Sequence, residues 1–249
     1  MTEKNSESLN TLETITIDNS RVRAEVKPQG AFLESLSIDG KEIIYKPLKE
    51  NPGRGGIPIL GPTPGHIKDR AWGHLYPNMP THGIDRRVLW NTVEVAEDRV
   101  IFSRQIGPKE FLFSGAISVK ISLLDNGVSI SKVITNNEDK PREIGHGFHP
   151  YFTVTKDVSY KPQKIELLHP LTPGKAEIIK PGISRTTMTH GTDTYTIEAF
   201  PKPIQTVVWT DNPDSYECIE PWWAESGKGD ILKPNESKTY TLQIKKVDS

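Results

Sequence analysis

The stretch VKISLLDNGVSISKV, residues 119–133, shows most directly how this chain folds. Apolar and polar residues alternate on both sides of Asn126-Gly127, and such a period of two is typical of half-buried strands. The alternating apolar residues are Val119, Ile121 and Leu123 before the turn and Val128, Ile130 and Val133 after it. An Asn-Gly pair is expected to supply the positive φ angles of a tight turn. The stretch therefore predicts an antiparallel β-hairpin.

The same pattern recurs along most of the chain. Residues 15–26 alternate in the same way, and Asp39-Gly40 separates two apolar runs as a second hairpin turn. Further strands are predicted at 93–103, 206–210, 216–220 and 239–245. No window of a dozen residues has a period near 3.6, and 20 prolines and 19 glycines interrupt any long helix. The sequence predicts an all-β fold built from antiparallel sheets packed face to face.

Length and charge set the outer bounds on organisation and partners. With 249 residues the chain is long enough to bury its own core without a disulfide or structural metal. We expect a single domain over residues 11–249, preceded by a polar, flexible tail at residues 1–10. The net charge is -1, from 31 Lys and Arg against 32 Asp and Glu, which gives no overall field that would attract nucleic acid or an anionic membrane. Neither is an expected partner.

Cysteine content and hydropathy predict the compartment. Cys218 is the single cysteine, so no disulfide can form within the chain, and this usage is typical of a reducing compartment. The first ten residues lack the apolar run of a signal peptide, and no stretch is long and apolar enough for a membrane span. We therefore expect a cytoplasmic protein.

One long segment, residues 51–89, differs from the rest because it is weakly periodic and rich in glycine and proline. Loops of this length usually carry function. This one contains four arginines, three histidines and one tryptophan: Arg54, Arg70, Arg86 and Arg87, His66, His74 and His82, and Trp72. A second concentration of histidine and aromatic residues is GHGFHPYF at residues 145–152, where His146 and His149 lie three residues apart. Histidine is the side chain whose ordinary pKa lies nearest to neutral pH, so both segments are candidates for chemistry.

Four motifs in this order and spacing resemble the aldose 1-epimerase, or galactose mutarotase-like, superfamily. They are RGGIP at 54–58, MPTHGIDR at 79–86, FHPYF at 148–152 and CIEPW at 218–222. The likeness extends from about residue 15 onward and looks most similar to the hexose-6-phosphate 1-epimerase branch. It implies a large antiparallel β-sandwich with little helix and a cofactor-free interconversion of α and β anomers, with no metal.

The resemblance also implies roles for particular residues. Ring opening needs a proton delivered to the ring oxygen and another removed from the anomeric hydroxyl, which suits a histidine acid facing a carboxylate base. By motif match, His149 is similar to the general acid of the family, Glu220 to its general base, and His82 to a second active-site histidine that holds the sugar.

Further matches concern substrate binding. Arg54 and Arg86 align with arginines that contact phosphate in the hexose-6-phosphate branch, and guanidinium groups suit this task because their donors match phosphate oxygens. We expect Asp193, Trp222 and His146 to contribute as well. Asp85 departs from that branch and adds a carboxylate that is able to neutralise an arginine, which leaves open whether the sugar is phosphorylated. The expected partner is a sugar or sugar phosphate, and the chain is expected to be a monomer or homodimer.

Two alternatives from other classes stay open. The first is a carbohydrate-binding or sensing protein with the same fold and no turnover. The second is a metal-dependent β enzyme that uses His82, His146, His149 and Glu220 as ligands. Asp211 and Asp214 flank Asn212-Pro213 and are predicted to form a turn and cap their own backbone.

Overall fold

The structure is a computed structural model that describes residues 13–51, 53–66, 73–107, 114–154, 158–162, 171–225 and 228–248. The expected tail at residues 1–10 and Trp72 lie outside the described residues. Described secondary structure is almost entirely strand, with two short 3₁₀ turns at Gly73–Leu75 and Asp85–Arg87. The predicted all-β class is therefore confirmed.

The first half of the chain forms strands before and after the long segment. They are β1 (Ile15–Asp18), β2 (Val22–Lys27), β3 (Phe32–Ile38), β4 (Lys41–Glu42), β5 (Ile59–Leu60), β6 (Asn91–Val95), β7 (Arg99–Ile106), β8 (Gly115–Leu124), β9 (Gly127–Asn136), β10 (Arg142–Ile144) and β11 (Gly147–Phe148).

The second half of the chain continues the pattern. Its strands are β12 (Tyr151–Thr153), β13 (Val158–Pro162), β14 (Glu177–Ile179), β15 (Arg185–His190), β16 (Asp193–Phe200), β17 (Gln205–Trp209), β18 (Tyr216–Trp222), β19 (Ala224–Glu225), β20 (Lys228–Leu232) and β21 (Ser237–Lys246). The strands predicted at 206–210, 216–220 and 239–245 correspond to β17, β18 and β21.

These strands form antiparallel sheets of different sizes. An eight-stranded sheet has the order β13-β15-β16-β21-β9-β8-β7-β6, and a six-stranded sheet has β14-β17-β18-β11-β5 with β12 also paired to β18. A four-stranded sheet β1-β2-β3-β4 and a three-stranded sheet β10-β20-β19 complete the described part. One buried apolar cluster contains side chains from all of these sheets, including Val26, Phe102, Phe148 and Leu232. The sheets therefore pack over a common core.

The quoted stretch 119–133 forms the β8–β9 hairpin, whose buried and less buried residues alternate along both strands. The turn differs from the prediction, because none of Asp125, Asn126 and Gly127 has a positive φ. Leu124 pairs with Gly127, which leaves Asp125-Asn126 as the connecting residues. Glycine is required at 127 for a different reason. A Cβ atom there would overlap the carbonyl oxygen of Ile244 on β21, so the glycine permits close approach of the neighbouring strand.

The prediction of one strand at 93–103 is wrong, because this stretch forms β6 and β7 with a turn between them. The backbone N–H of Ala96 donates to the carbonyl of Arg99 at 2.8 Å and closes the turn. The alternating apolar residues on both sides of this turn gave no signal of the break. By contrast, Asp39 and Gly40 form the predicted hairpin turn, with φ angles of 49° and 77°.

The long segment 51–89 is mostly irregular, as its composition predicts, and it is fastened to the sheets at a few points. β5 pairs with β11, and the backbone of Gly61 exchanges hydrogen bonds with residues 82–85. Among the described residues, no helix has both the length and the apolar character that a membrane span requires.

Candidate active site

A cavity of about 420 Å³ lies over β17 and β18 and is covered by the segment 51–89. Six of the eight residues given a catalytic or binding role from the sequence line it: Arg54, His82, Arg86, His149, Glu220 and Trp222. The arginines from the long segment thus converge on the same cavity as the histidine and glutamate from the sheet.

Strand pairing explains how His149 meets Glu220. β11 and β12 are separated by His149-Pro150, and both pair with β18. Because Gly147 pairs with Trp222 and Tyr151 with Cys218, His149 falls opposite Glu220 in the same register. The distance from His149 Nε2 to Glu220 Oε1 is 3.3 Å, and both side chains are almost fully buried.

Burial dominates the protonation of this pair. It raises the pKa of Glu220 to about 8, although a hydrogen bond from Trp222 Nε1 at 3.0 Å and the charge of Arg86 act in the opposite direction. Burial lowers the pKa of His149 well below its usual value, and the neighbouring His82 ring and the charge of Arg86 act in the same direction. In the protein alone at neutral pH, the proton of the pair therefore resides on Glu220.

His82 has a fixed tautomer. The backbone N–H of Gly65 donates to His82 Nδ1 at 3.1 Å, so Nδ1 is unprotonated and Nε2 carries the hydrogen of the neutral ring. Burial lowers the pKa of His82 to about 3, with the charge of Arg86 as the second cause. The ring meets that of His149 edge to face at a centroid distance of 5.2 Å. His82 is therefore a neutral hydrogen-bond donor beside the His149–Glu220 pair.

Arg86 lies on the 3₁₀ turn Asp85–Arg87 and is half-buried. No hydrogen bond or ion pair joins its guanidinium to any residue that the structure describes. The arginine that Asp85 pairs with is Arg104, at 3.6 Å, and neither cavity arginine is its partner. The Asp85 carboxylate points away into the core, where it pairs with Lys132 Nζ at 2.6 Å. A half-buried cation without a counter-ion favours an anionic ligand.

Arg54 has a partner that the sequence did not indicate. Its Nε donates to Asp211 Oδ2 at 2.9 Å, and its guanidinium carbon lies 5.0 Å from the centre of the Trp209 ring. Asp211 also accepts a hydrogen bond from the Tyr216 hydroxyl. Asp211 thus fixes Arg54 at the cavity wall, in addition to lying in the predicted turn.

Two aromatic side chains pack against the catalytic candidates His149, Glu220 and His82. The ring of Tyr151 stacks on that of His149, with a centroid distance of 4.6 Å and an angle of 8°. Trp222 lies edge to face with His82 at 5.9 Å and also hydrogen-bonds Glu220. Tyr151 therefore both lines the cavity and supports the His149 ring.

Two of the predicted binding residues lie away from the cavity. Asp193 belongs to β16 in the eight-stranded sheet and forms ion pairs with Lys41 and Lys246. His146 is fully buried in the core, where its ring stacks on Trp223 and its Nδ1 lies 2.9 Å from the Leu60 carbonyl oxygen. Neither residue lines the cavity. The expectation that they bind substrate therefore gains no support from their positions.

The metal-site alternative requires His146 beside the other three ligands, and the core position of His146 separates it from them. Within the described ranges, no group of three or more His, Cys, Asp or Glu side chains is arranged to hold a metal ion.

Comparison with known sequences assigns the chain to a family. The sequence profile of the family described as aldose 1-epimerase matches residues 13–169, which is more than half of the chain. The chain belongs to the aldose 1-epimerase family. No curated protein sequence matches it at a significant level.

Solved structures show the same fold at low sequence identity. A protein from Synechocystis sp. PCC 6803 has a TM-score of 0.80 at 19% identity, with both chains fully covered. A galactose mutarotase-like protein from Lactobacillus casei has a TM-score of 0.75 at 20% identity, covering 94% of this chain and 100% of that one. A galactose 1-epimerase from Lactobacillus acidophilus has a TM-score of 0.69 at 16% identity, covering 94% of each chain. The chain therefore has the galactose mutarotase-like sandwich fold.

Proposed function

We propose that this chain catalyses the interconversion of the α and β anomers of a hexose or hexose 6-phosphate by acid–base ring opening. The observation that carries the proposal is the 3.3 Å approach of His149 Nε2 to Glu220 Oε1 at the wall of a cavity that also presents arginine and tryptophan. Membership of the aldose 1-epimerase family supports the same reaction.

In this mechanism the single proton of the pair passes from Glu220 to His149 when the sugar binds. Glu220, now a carboxylate, removes the proton of the anomeric hydroxyl while His149 donates its proton to the ring oxygen. The C1–O5 bond breaks, rotation about C1–C2 exposes the other face of the aldehyde, and the reverse transfers close the ring. Each positioned proton transfer contributes about 10²- to 10⁴-fold in rate, so the two together need neither a cofactor nor a covalent intermediate. The Nε2–H of His82 donates a hydrogen bond to a sugar oxygen and holds the ring beside the pair.

The arginines favour a substrate with an anionic substituent. Arg86 is half-buried without a counter-ion among the described residues, and Arg54 lines the same cavity. A phosphate group between them would compensate this charge with bidentate hydrogen bonds. It would also weaken the positive field that lowers the pKa of His149, and so favour the protonated acid. This charge effect supports a hexose 6-phosphate over a neutral hexose.

The test is anomer exchange measured by NMR on glucose 6-phosphate, glucose and galactose with purified protein. We expect faster exchange than in protein-free buffer, with higher kcat/KM for the phosphorylated sugar. Rates equal to the protein-free control for every aldose would overturn the proposal and favour a binding or sensing protein. Faster exchange for neutral sugars alone would overturn only the assignment of the phosphate.

A further inference from the structure

A buried ionic cluster lies beneath the cavity and is formed by three residues that are far apart in sequence. Asp85 Oδ2 lies 2.6 Å from Lys132 Nζ on β9, and Asp85 Oδ1 lies 3.6 Å from Arg104 NH1 on β7. The three side chains are 2%, 1% and 7% exposed, respectively. Such burial of charge is costly unless the charges are paired, so these positions are under a strong physical constraint.

The cluster is directly connected to the turn that carries the cavity residues. Asp85 is the first residue of the 3₁₀ turn, and Arg86 follows it into the cavity wall. The Asp85 carbonyl oxygen accepts a hydrogen bond from Trp90 Nε1 at 3.0 Å, and Arg104 lies over the Trp90 ring. Asp85 is therefore held at its backbone and at both carboxylate oxygens.

Gly61 links the same turn to His82. Its carbonyl oxygen accepts hydrogen bonds from the backbone of Ile84 and Asp85 at 2.9 and 3.0 Å, and its N–H donates to the His82 carbonyl at 3.2 Å. A Cβ atom at residue 61 would overlap the Asp85 carboxylate and the Lys132 ammonium group. The glycine thus makes room for the ion pair directly behind the residues that face the substrate.

From this arrangement we infer that Lys132 and Asp85 are positioning residues, which hold Arg86 and His82 at the distances that substrate binding requires. Lys132 touches no cavity surface and acts through Asp85 and the turn. The kinetic part of this inference rests on the proposed function. The structural part, that Lys132 and Asp85 fix the positions of Arg86 and His82, does not depend on the proposed function.

The competing explanation is that the ion pair only stabilises the fold. Removing one charge or both charges of the pair distinguishes this explanation from a positioning role. Removing one partner of a buried pair destabilises strongly, whereas replacing both by uncharged residues of similar volume is often neutral. The double variant Asp85→Asn/Lys132→Met removes one negative and one positive charge and keeps the net charge of the cluster. It should recover much of the stability that Asp85→Asn alone loses, yet it lacks the ion pair that orients the turn.

The experiment compares the wild type, the single variants Asp85→Asn and Lys132→Met, the double variant and a control, Ile130→Ala. Ile130 lies on the same face of β9, and its truncation creates a core cavity that lowers stability without touching Asp85. Three quantities are measured: the melting temperature, the affinity for inorganic phosphate by calorimetry, and the ¹⁵N shifts of the His82 imidazole. Where the wild type turns over, KM and kcat for glucose 6-phosphate and glucose are added.

We expect the double variant to bind phosphate about 10- to 100-fold more weakly and to show altered His82 Nδ1 shifts, with KM for glucose 6-phosphate raised by a similar factor. Ile130→Ala should melt earlier but keep the wild-type phosphate affinity and His82 shifts. Unchanged affinity and shifts in the double variant would overturn the inference. So would equal losses in Ile130→Ala, because they would trace the effect to stability. A wild type without turnover that still shows these differences would refute the proposed function and leave the positioning role standing.

Discussion

The Nε2 atom of His149 lies 3.3 Å from Oε1 of Glu220, because the strands on both sides of His149, β11 and β12, pair in register with β18. Because the sheet itself sets this distance, the acid and the base are held without help from a flexible loop. Rigid placement of two proton-transfer groups is the condition for concerted acid–base catalysis.

Removing either group should abolish most of the activity. We expect His149→Asn and Glu220→Gln each to lower kcat by about 10²- to 10⁴-fold, and the double variant to be little worse than either single one, since the two act as a unit. Glu217→Gln is a matched control, because Glu217 is also buried on β18 but faces the opposite side of the sheet. Anomer exchange by NMR provides the rates. A Glu220→Gln variant with normal kcat would exclude Glu220 as the base.

The pH profile should reflect a pair that shares one proton. The pKa of Glu220 is raised to about 8 and that of His149 is lowered, so the pair holds one proton from mildly acidic pH up to about 8. We expect kcat/KM to be nearly flat across neutral pH and to fall above about pH 8, where that proton is lost. A profile that keeps rising through pH 9 would contradict this assignment.

Ionisation of the buried Glu220 side chain should also lower the stability of the folded protein. In the unfolded chain its pKa is near 4.5, whereas in the folded chain it is about 8, so folding takes up a proton between these values. Stability therefore declines as pH rises from about 4.5 to about 8. We expect Glu220→Gln to be more stable than the wild type at pH 8, by up to a few kcal/mol, and to show little difference at pH 4.5. Denaturant unfolding at the two pH values measures this, and equal differences at both would contradict it.

The two arginines should differ in what they bind. Arg86 is without a described counter-ion, whereas Arg54 is already paired with Asp211. We expect Arg86→Met to raise KM for glucose 6-phosphate by about 10- to 100-fold and to leave KM for glucose nearly unchanged, because a hydrogen bond to a charged group is worth about 1.5–3 kcal/mol. Arg54→Met should have a smaller effect. Arg185→Met, an exposed arginine on β15, is the control. Equal changes for both sugars would argue against a phosphate contact.

The stacked ring of Tyr151 should orient His149. Tyr151→Phe keeps the stacked ring and should retain most of kcat, whereas Tyr151→Leu removes the flat surface and should lower kcat by about tenfold through a displaced imidazole. Steady-state kinetics with the melting temperature recorded for both variants distinguishes orientation from unfolding. If Tyr151→Phe lowered kcat as much as Tyr151→Leu, the hydroxyl and not the stacked ring would be the group that orients His149.

Much of the fold could be predicted from the sequence because alternation of apolar residues reports directly on which side of a strand is buried. The β8–β9 hairpin follows from this alone. The turn between β6 and β7 escaped prediction because Ala96-Glu97-Asp98 contains neither glycine nor proline, and its closing hydrogen bond is a backbone contact. The sequence indicated Gly127 because of the φ angle of a turn, whereas the structure requires glycine there because β21 approaches it closely. That strand lies more than a hundred residues away in the sequence.

The site was predictable to the extent that its residues lie in short motifs. The partnership of Asp211 with Arg54 spans 157 residues and has no local signal. Asp85 could be recognised from the sequence as a carboxylate able to pair with an arginine, but its actual partners, Lys132 and Arg104, could not. The side chains of neighbouring residues on a tight turn point in different directions. Lys132 on β9 donates a hydrogen bond to the Asp85 carboxylate, and only the packing of β9 against the turn shows this contact. Asp193 lies in none of the four motifs, so the sequence carried no local signal for its position in the sheet.

The position of β21 in the middle of the eight-stranded sheet affects the order in which the protein can fold. This strand pairs with β9 on one side and β16 on the other, and Thr135 meets Ser237 across 102 residues of intervening chain. The two halves of the sheet cannot be joined before residues 237–246 are free to enter between them, so closure is a late and entropically expensive event. During synthesis, the edges of β9 and β16 would remain open until then and would need protection from pairing with other chains.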